Sequence, residues 1–222
     1  MSKLVDSVPD FLCIPAAIDA ELLPTIREEG RALFEAMYEK VEHKDRGFYY
    51  FKYFADVFGD LATYCPVLVS ELQRLKIYEF FERALFIQQN FKGTMPVHRD
   101  YLPTDDYNHF GLNIPICGYE GSCTIFYEGM VYDNSDDETE EIKSILTEHY
   151  GTTNVKTAPV GIPETLKEIA RVPTGDPVWF NTWVLHAGYS ESDEPRMIVS
   201  LRFSDMSHLF DNGYFDEHLV AH

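Results

Sequence analysis

The period of the apolar residues changes near Ala84, and that change limits what this chain can fold into more than any other feature. Before it, Leu22, Leu23, Ile26, Leu33 and Met37 recur at near-helical spacing. With Asp19 placed to cap the start, the pattern predicts a helix over residues 19–40. A second helix is expected from Pro66, a residue favoured in the first helical turn, with Leu68, Leu72 and Leu75 on one stripe. After Ala84 the apolar runs become short. Leu85–Phe91, His109–Cys117, Cys123–Tyr127, Val178–Val184 and Arg196–Phe203 read as strands separated by Gly, Pro and Asp. Short strands preceded by helices point to a mainly β fold with flanking helices. The expected core is a cupin-like jelly roll, or double-stranded β-helix, with the helices on one outer face.

A chain of 222 residues fits a single domain with a substantial core. Residues 1–83 would be its mainly helical N-terminal part, 84–127 and 174–205 the jelly-roll core, and 206–222 a C-terminal tail. Residues 128–173 interrupt the strand series. They open on the acidic run Asp133–Glu141, pass through an expected helix over Glu141–His149, and reach a second expected helix over Pro163–Arg171. An insertion of this length between core strands is a candidate lid or recognition element, with Gly151, Gly161 and Pro163 as bends. A solvated surface excursion is the plain alternative.

Charge narrows the functional classes. Thirty-seven acidic against 18 basic residues give a net charge of −19. Such a surface repels phosphate backbones, which argues against nucleic-acid binding and docking on anionic membranes. It suits a cationic substrate, although a solvated, highly soluble surface is the plainer explanation. The four cysteines, Cys13, Cys65, Cys117 and Cys123, form no C-x-x-C pair. The first residues lack a signal-peptide core, and no apolar stretch is long enough to span a bilayer. The expectation is a reduced, soluble, cytoplasmic protein with cysteines in its core.

Residues 98–100 read His-Arg-Asp, and His186 follows a second apolar run, ten residues before Arg196. His98 and Asp100 are two apart, so on an extended segment both side chains face the same way. A later strand can bring His186 to them. Two imidazoles and one carboxylate form the facial triad of non-haem Fe(II) sites, which leaves three positions open. An H-x-D alone occurs widely, and a lone strand histidine is ordinarily a core residue; here order, spacing and the strand-to-loop context of both histidines point to a metal site.

These residues resemble those of the Fe(II)/2-oxoglutarate-dependent dioxygenases. Two stretches are most similar to the aspartyl/asparaginyl β-hydroxylase and related amino-acid hydroxylase branch. One is His109-Phe110-Gly111-Leu112-Asn113-Ile114-Pro115; the other runs from Phe180-Asn181 through His186 to Ser192-Asp193-Glu194-Pro195-Arg196. The resemblance covers roughly residues 84–205. It implies iron on His98, Asp100 and His186, with Arg196 binding the distal carboxylate of 2-oxoglutarate. His109 would lie near the other carboxylate or serve as a hydrogen-bonded core residue. The chain departs from animal members of that branch, which lack a carboxylate where Asp100 stands. Retention of that carboxylate also argues against halogenation.

Three further positions carry two readings each. Arg202 shares a strand face with Arg196 if no bulge intervenes, and either contacts co-substrate or substrate or forms a structural ion pair. Asn113 either hydrogen-bonds the ligand or satisfies the core. Trp179 and Trp183 are expected to pack the core. The resemblance implies a hydroxylase that consumes 2-oxoglutarate and O2, releases succinate and CO2, and oxidises an unactivated C–H bond. The substrate would be an amino acid, a peptidyl side chain or a small metabolite. The alternative is a non-catalytic, cupin-like metal or small-ligand binding protein, which has no need of a buried cation at position 196.

Overall fold

The computed structural model describes residues 12–38, 48–53, 61–90, 92–100, 110–132 and 160–203. In chain order these form strand β1 (Cys13–Pro15), helix α1 (Leu23–Tyr38), strand β2 (Phe48–Tyr53), and helices α2 (Leu61–Tyr64) and α3 (Pro66–Arg74). Strands follow: β3 (Phe81–Gln89), β4 (Gly93–Thr94), β5 (Phe110–Cys117), β6 (Ser122–Glu128), β7 (Val131–Tyr132) and β8 (Val160–Gly161). The last four are β9 (Lys167–Pro173), β10 (Val178–Asn181), β11 (Leu185–Ser190) and β12 (Arg196–Phe203).

One sheet has the order β1-β10-β5-β12-β3-β2 and a second the order β4-β11-β6-β9, with β7 and β8 as a separate ribbon. Neighbouring strands are antiparallel throughout. From β3 onward the chain passes repeatedly between the sheets. β3, β5, β10 and β12 lie in the six-stranded sheet, and β4, β6, β9 and β11 in the four-stranded one. This alternation is the double-stranded β-helix.

The period-2 pattern of the six-stranded sheet explains how the helices attach. Leu112, Ile114 and Ile116 of β5 and Val199, Leu201 and Phe203 of β12 join one cluster with Leu23, Ile26, Leu33, Phe34 and Met37 of α1. Leu68 and Leu72 of α3 belong to the same cluster. Fully burying one such side chain contributes about 1.5–3 kcal/mol. The start of α3 is capped from α1: the Glu29 carboxylate accepts hydrogen bonds from the Val67 and Leu68 amides, at 2.9 and 3.1 Å. A carboxylate there also complements the positive end of the helix dipole.

Several boundaries differ from the sequence expectation. Residues 163–171 do not form a helix. Pro163–Thr165 make a single 3-10 turn, and Lys167–Pro173 is an edge strand paired with β6. Its Ala170 and Val172 are half-buried while their neighbours are exposed, so pairing with β6 overrides local helix propensity. The excursion between core strands therefore ends before Lys167. The N-terminal part is not purely helical, because β1 and β2 extend the six-stranded sheet at both edges. β10 stops at Asn181; a turn follows that leaves Trp183 45% exposed, whereas Trp179 is fully buried. Cys65 is buried, the other three cysteines are half-buried, and all four are free thiols. The expected helix over 141–149, the acidic run, residues 206–222 and His109 lie outside the described residues. No described helix is long and apolar enough to cross a membrane.

Candidate metal centre

His98 and His186 face each other across an isolated antiparallel bridge. Each donates its amide to the other's carbonyl, at 2.9 Å from His98 and 2.7 Å from His186. Asp100 continues the extended segment, and its amide donates to the Thr182 carbonyl at 2.9 Å. Two backbone attachments thus fix the H-x-D segment against the turn preceding His186. The ligand-capable atoms of His98, Asp100 and His186 all lie within 4.8 Å of one another.

Both rings are oriented by the same local device. His98 Nδ1 lies 2.8 Å from the Pro96 carbonyl, and His186 Nδ1 lies 2.8 Å from the Val184 carbonyl. A carbonyl partner requires the proton on Nδ1, which leaves the Nε2 lone pair of each ring for a metal. The His98 Nε2 to Asp100 Oδ1 distance is 3.6 Å. The rings are 4.7 Å apart, and Phe180 meets the His186 ring edge-on at 5.2 Å. Burial, reinforced by the charge of His98, pushes His186 down to about 4. It is a neutral imidazole at neutral pH. Burial alone would raise Asp100, but Arg202, His186 and His98 outweigh it and hold the carboxyl at about 2. Neutral imidazoles and an ionised carboxylate are the protonation states that divalent metals require, and the donor set fits the iron-type facial triad.

Arg202 lies behind the carboxylate. Its side chain is 3% exposed, and Nη2 donates to Asp100 Oδ2. Nη1 donates to Ser200 Oγ at 2.5 Å, and Ser200 Oγ donates in turn to Asn113 Oδ1. The guanidinium also lies over the Phe180 ring, 5.2 Å from its centroid. Of the two readings for Arg202, the geometry shows the ion pair. Asn113 accepts the Ser200 hydroxyl and also lines a small cleft between the sheets, with Thr124, Phe126 and Phe180.

Arg196 differs. It is 3% exposed, and its Nε has no hydrogen-bond partner. No carboxylate among the described residues pairs with it. Burial lowers it to about 10, opposed only by Cys123. Its guanidinium crosses to the other sheet. A Cβ on Gly188 would sit 2.5 Å from Arg196 Nη1 and 3.0 Å from Met95 Sδ. A Cβ on Gly111 would sit 2.1 Å from Arg202 Nη1. Each arginine therefore reaches its position over a glycine, and sequence reasoning did not identify the Gly188 contact. Its only signal in the sequence is a glycine two residues after His186.

No protein-family model matches the chain, and no curated protein sequence matches it. Among solved structures, the 2-oxoglutarate-dependent carbocyclase SnoK from nogalamycin biosynthesis is similar over 87% of this chain and 78% of its own, at 14% identity and a TM-score of 0.49. A Pseudomonas putida prolyl-4-hydroxylase is similar over 91% of this chain and 97% of its own, at 13% identity and a TM-score of 0.44. HygX from Streptomyces hygroscopicus, with nickel and 2-oxoglutarate bound, is similar over 91% of this chain and 84% of its own, at 13% identity and a TM-score of 0.47.

Proposed function

We propose that this protein is an Fe(II)- and 2-oxoglutarate-dependent dioxygenase that hydroxylates an unactivated C–H bond. The carrying observation is Arg196: a buried cation with no acidic partner among the described residues, lying against Gly188 on the strand that bears His186. Leaving such a charge unpaired is costly, and an anionic ligand offsets that cost. His186 and Gly188 are two residues apart on β11, about 7 Å along a strand. That span suits a short dicarboxylate with one end at the triad and the other on the Arg196 fork.

His98, Asp100 and His186 would hold the iron, leaving positions for the 2-oxo acid and O2. The bound pair would supply O2 activation, with 2-oxoglutarate converted to succinate and CO2 and one oxygen atom delivered to the substrate. The chain itself holds and orients. Arg202 occupies one oxygen of Asp100, leaving the other for a single metal bond. Phe126 and Phe180 flank the His186 ring and exclude water from that side. His109 next to β5 and Asn113 on it are further candidates for contact with the co-substrate.

The strand and turn quoted above support placing the chain near the aspartyl/asparaginyl hydroxylase branch, with an amino acid, a peptidyl side chain or a small metabolite as substrate. The charge supports a protein that binds neither nucleic acid nor membranes. A cytoplasmic location suits Fe(II) and free thiols.

Anaerobic titration tests this reading. The expectation is one Fe(II) per chain, metal-dependent binding of 2-oxoglutarate, and O2-dependent succinate formation stimulated by a member of an amino-acid and peptide panel. Metal binding without 2-oxoglutarate binding would instead identify a cupin-like binding protein.

A further inference from the structure

The interior face of the six-stranded sheet carries a third guanidinium. Arg83 of β3 is the direct cross-strand partner of Arg202 on β12. Directly opposed residues project from the same face, so Arg83 stands beside Arg202 at the level of the triad, one strand further from β5. It is half-buried, and its Nε is shielded from solvent with no hydrogen-bond partner. Among the described residues Arg83 forms no ion pair. It lies close enough to Arg202 for the two charges to oppose each other. Asp100 neutralises Arg202, and on the reading above the 2-oxoglutarate tail neutralises Arg196. Nothing described neutralises Arg83.

We propose that Arg83 is the docking point for an oxyanion, in the first place a carboxylate, on the primary substrate. A shielded guanidinium donor without a partner keeps its desolvation cost uncompensated. A carboxylate satisfies it with two parallel hydrogen bonds in the plane of the fork, and a phosphate monoester offers the same oxygen pair. The position suits a group that orients a substrate without touching the reacting carbon. Arg83 is one strand, about 5 Å, from the arginine that touches the metal-binding carboxylate. This reverses the substrate charge suggested by the net −19. The overall field favours cations at long range, but Arg83, Arg196 and Arg202 share one face of the six-stranded sheet, and local geometry decides the last few ångströms.

The proposal rests on the dioxygenase reading for what occupies Arg196, and its test keeps the two separable. Protein loaded anaerobically with Co(II) and saturated with 2-oxoglutarate is titrated by calorimetry with N-acetylglycine, phenyl phosphate, neutral N-acetylglycinamide and cationic glycinamide. N-acetylglycine is expected to bind and the last two are not. Phenyl phosphate tighter than N-acetylglycine would assign the site to phosphate esters and overturn the carboxylate preference. Arg83→Gln should lose at least about tenfold in N-acetylglycine affinity, with Co(II) and 2-oxoglutarate affinities unchanged. Arg83→Lys, which keeps the charge but not the fork, should fall between, and it carries the test if the glutamine variant fails to fold. Equal N-acetylglycine affinity in wild type and variant, or no anion binding to wild type, overturns the proposal. Failure of wild type to bind 2-oxoglutarate overturns the dioxygenase reading instead, and the difference in N-acetylglycine affinity between unloaded wild type and unloaded Arg83→Gln or Arg83→Lys still reads Arg83 by itself.

Discussion

Along β12, consecutive residues belong to two different environments. Val199, Leu201 and Phe203 face the helices and are at most 2% exposed, within an apolar cluster. Arg196, Ser200 and Arg202 alternate with them, are at most 3% exposed, and lie on the opposite face, with Arg196 reaching the other sheet. β5 repeats the division, with Leu112, Ile114 and Ile116 towards the helices and Gly111 and Asn113 towards the cleft. One face holds the sheet together by removing apolar area from water. The other keeps Ser200 and Arg202 buried by giving them partners in Asn113 and Asp100, and leaves Arg196 for a ligand. A single run of backbone therefore carries stability and chemistry at two-residue intervals, and the two should fail independently.

The largest expected effect breaks the chemical face alone. His186→Ala should weaken Fe(II) or Co(II) binding by more than about 100-fold, since even loss of a residue that supports a ligand costs 10–100-fold. Retained affinity in anaerobic titration would remove His186 from the site. The converse is Phe203→Ala on the helix-facing side. It should cost about 3–5 kcal/mol in urea unfolding while the folded fraction still binds metal normally. Loss of metal affinity in that folded fraction would show that the two faces are coupled.

Arg196→Met should retain metal and lose about 2–5 kcal/mol of 2-oxoglutarate affinity, with Arg196→Lys only partly restoring it. Unchanged affinity measured by calorimetry would shift the anchor to Arg202. The smallest effect concerns acid. His186 is held near 4 in the folded protein, below its usual 6.5, so the unfolded chain binds the proton first as pH falls. The metal-free protein should lose stability progressively between about pH 6.5 and pH 4, by on the order of 3 kcal/mol at the lower end. His186→Asn should flatten that slope in urea titrations. An equal slope would assign it to other groups.

Much of this arrangement is legible in the sequence, and the parts that are not share a cause. Short apolar runs locate β5, β6 and β12, since their alternation is written in adjacent residues. The turn chemistry around Pro66 locates α3. The closeness of His98, Asp100 and His186 follows from order and strand context. The strand over Lys167–Pro173 was hidden because Pro163, Leu166 and Ile169 also fit a helical stripe, and only pairing with β6 decides between the two. The apolar run Val178–Val184 reads as one strand through Trp183, but the strand ends at Asn181. The Arg202–Asp100 pair spans 102 positions and depends on register, which no local pattern records. Arg83 leaves no local signal for the same reason: one half-exposed arginine on a strand gains meaning only from its cross-strand neighbour.

The reciprocal amide bonds between His98 and His186 make the site a test of alignment. A strand that slips by one residue turns every side chain to the opposite face. A slipped β11 would send His186 outward and present Leu185 or Ala187 in its place, neither of which can bind a metal. Misaligned molecules would then have no weakened site at all, and substoichiometric metal loading in a preparation would count correctly registered chains.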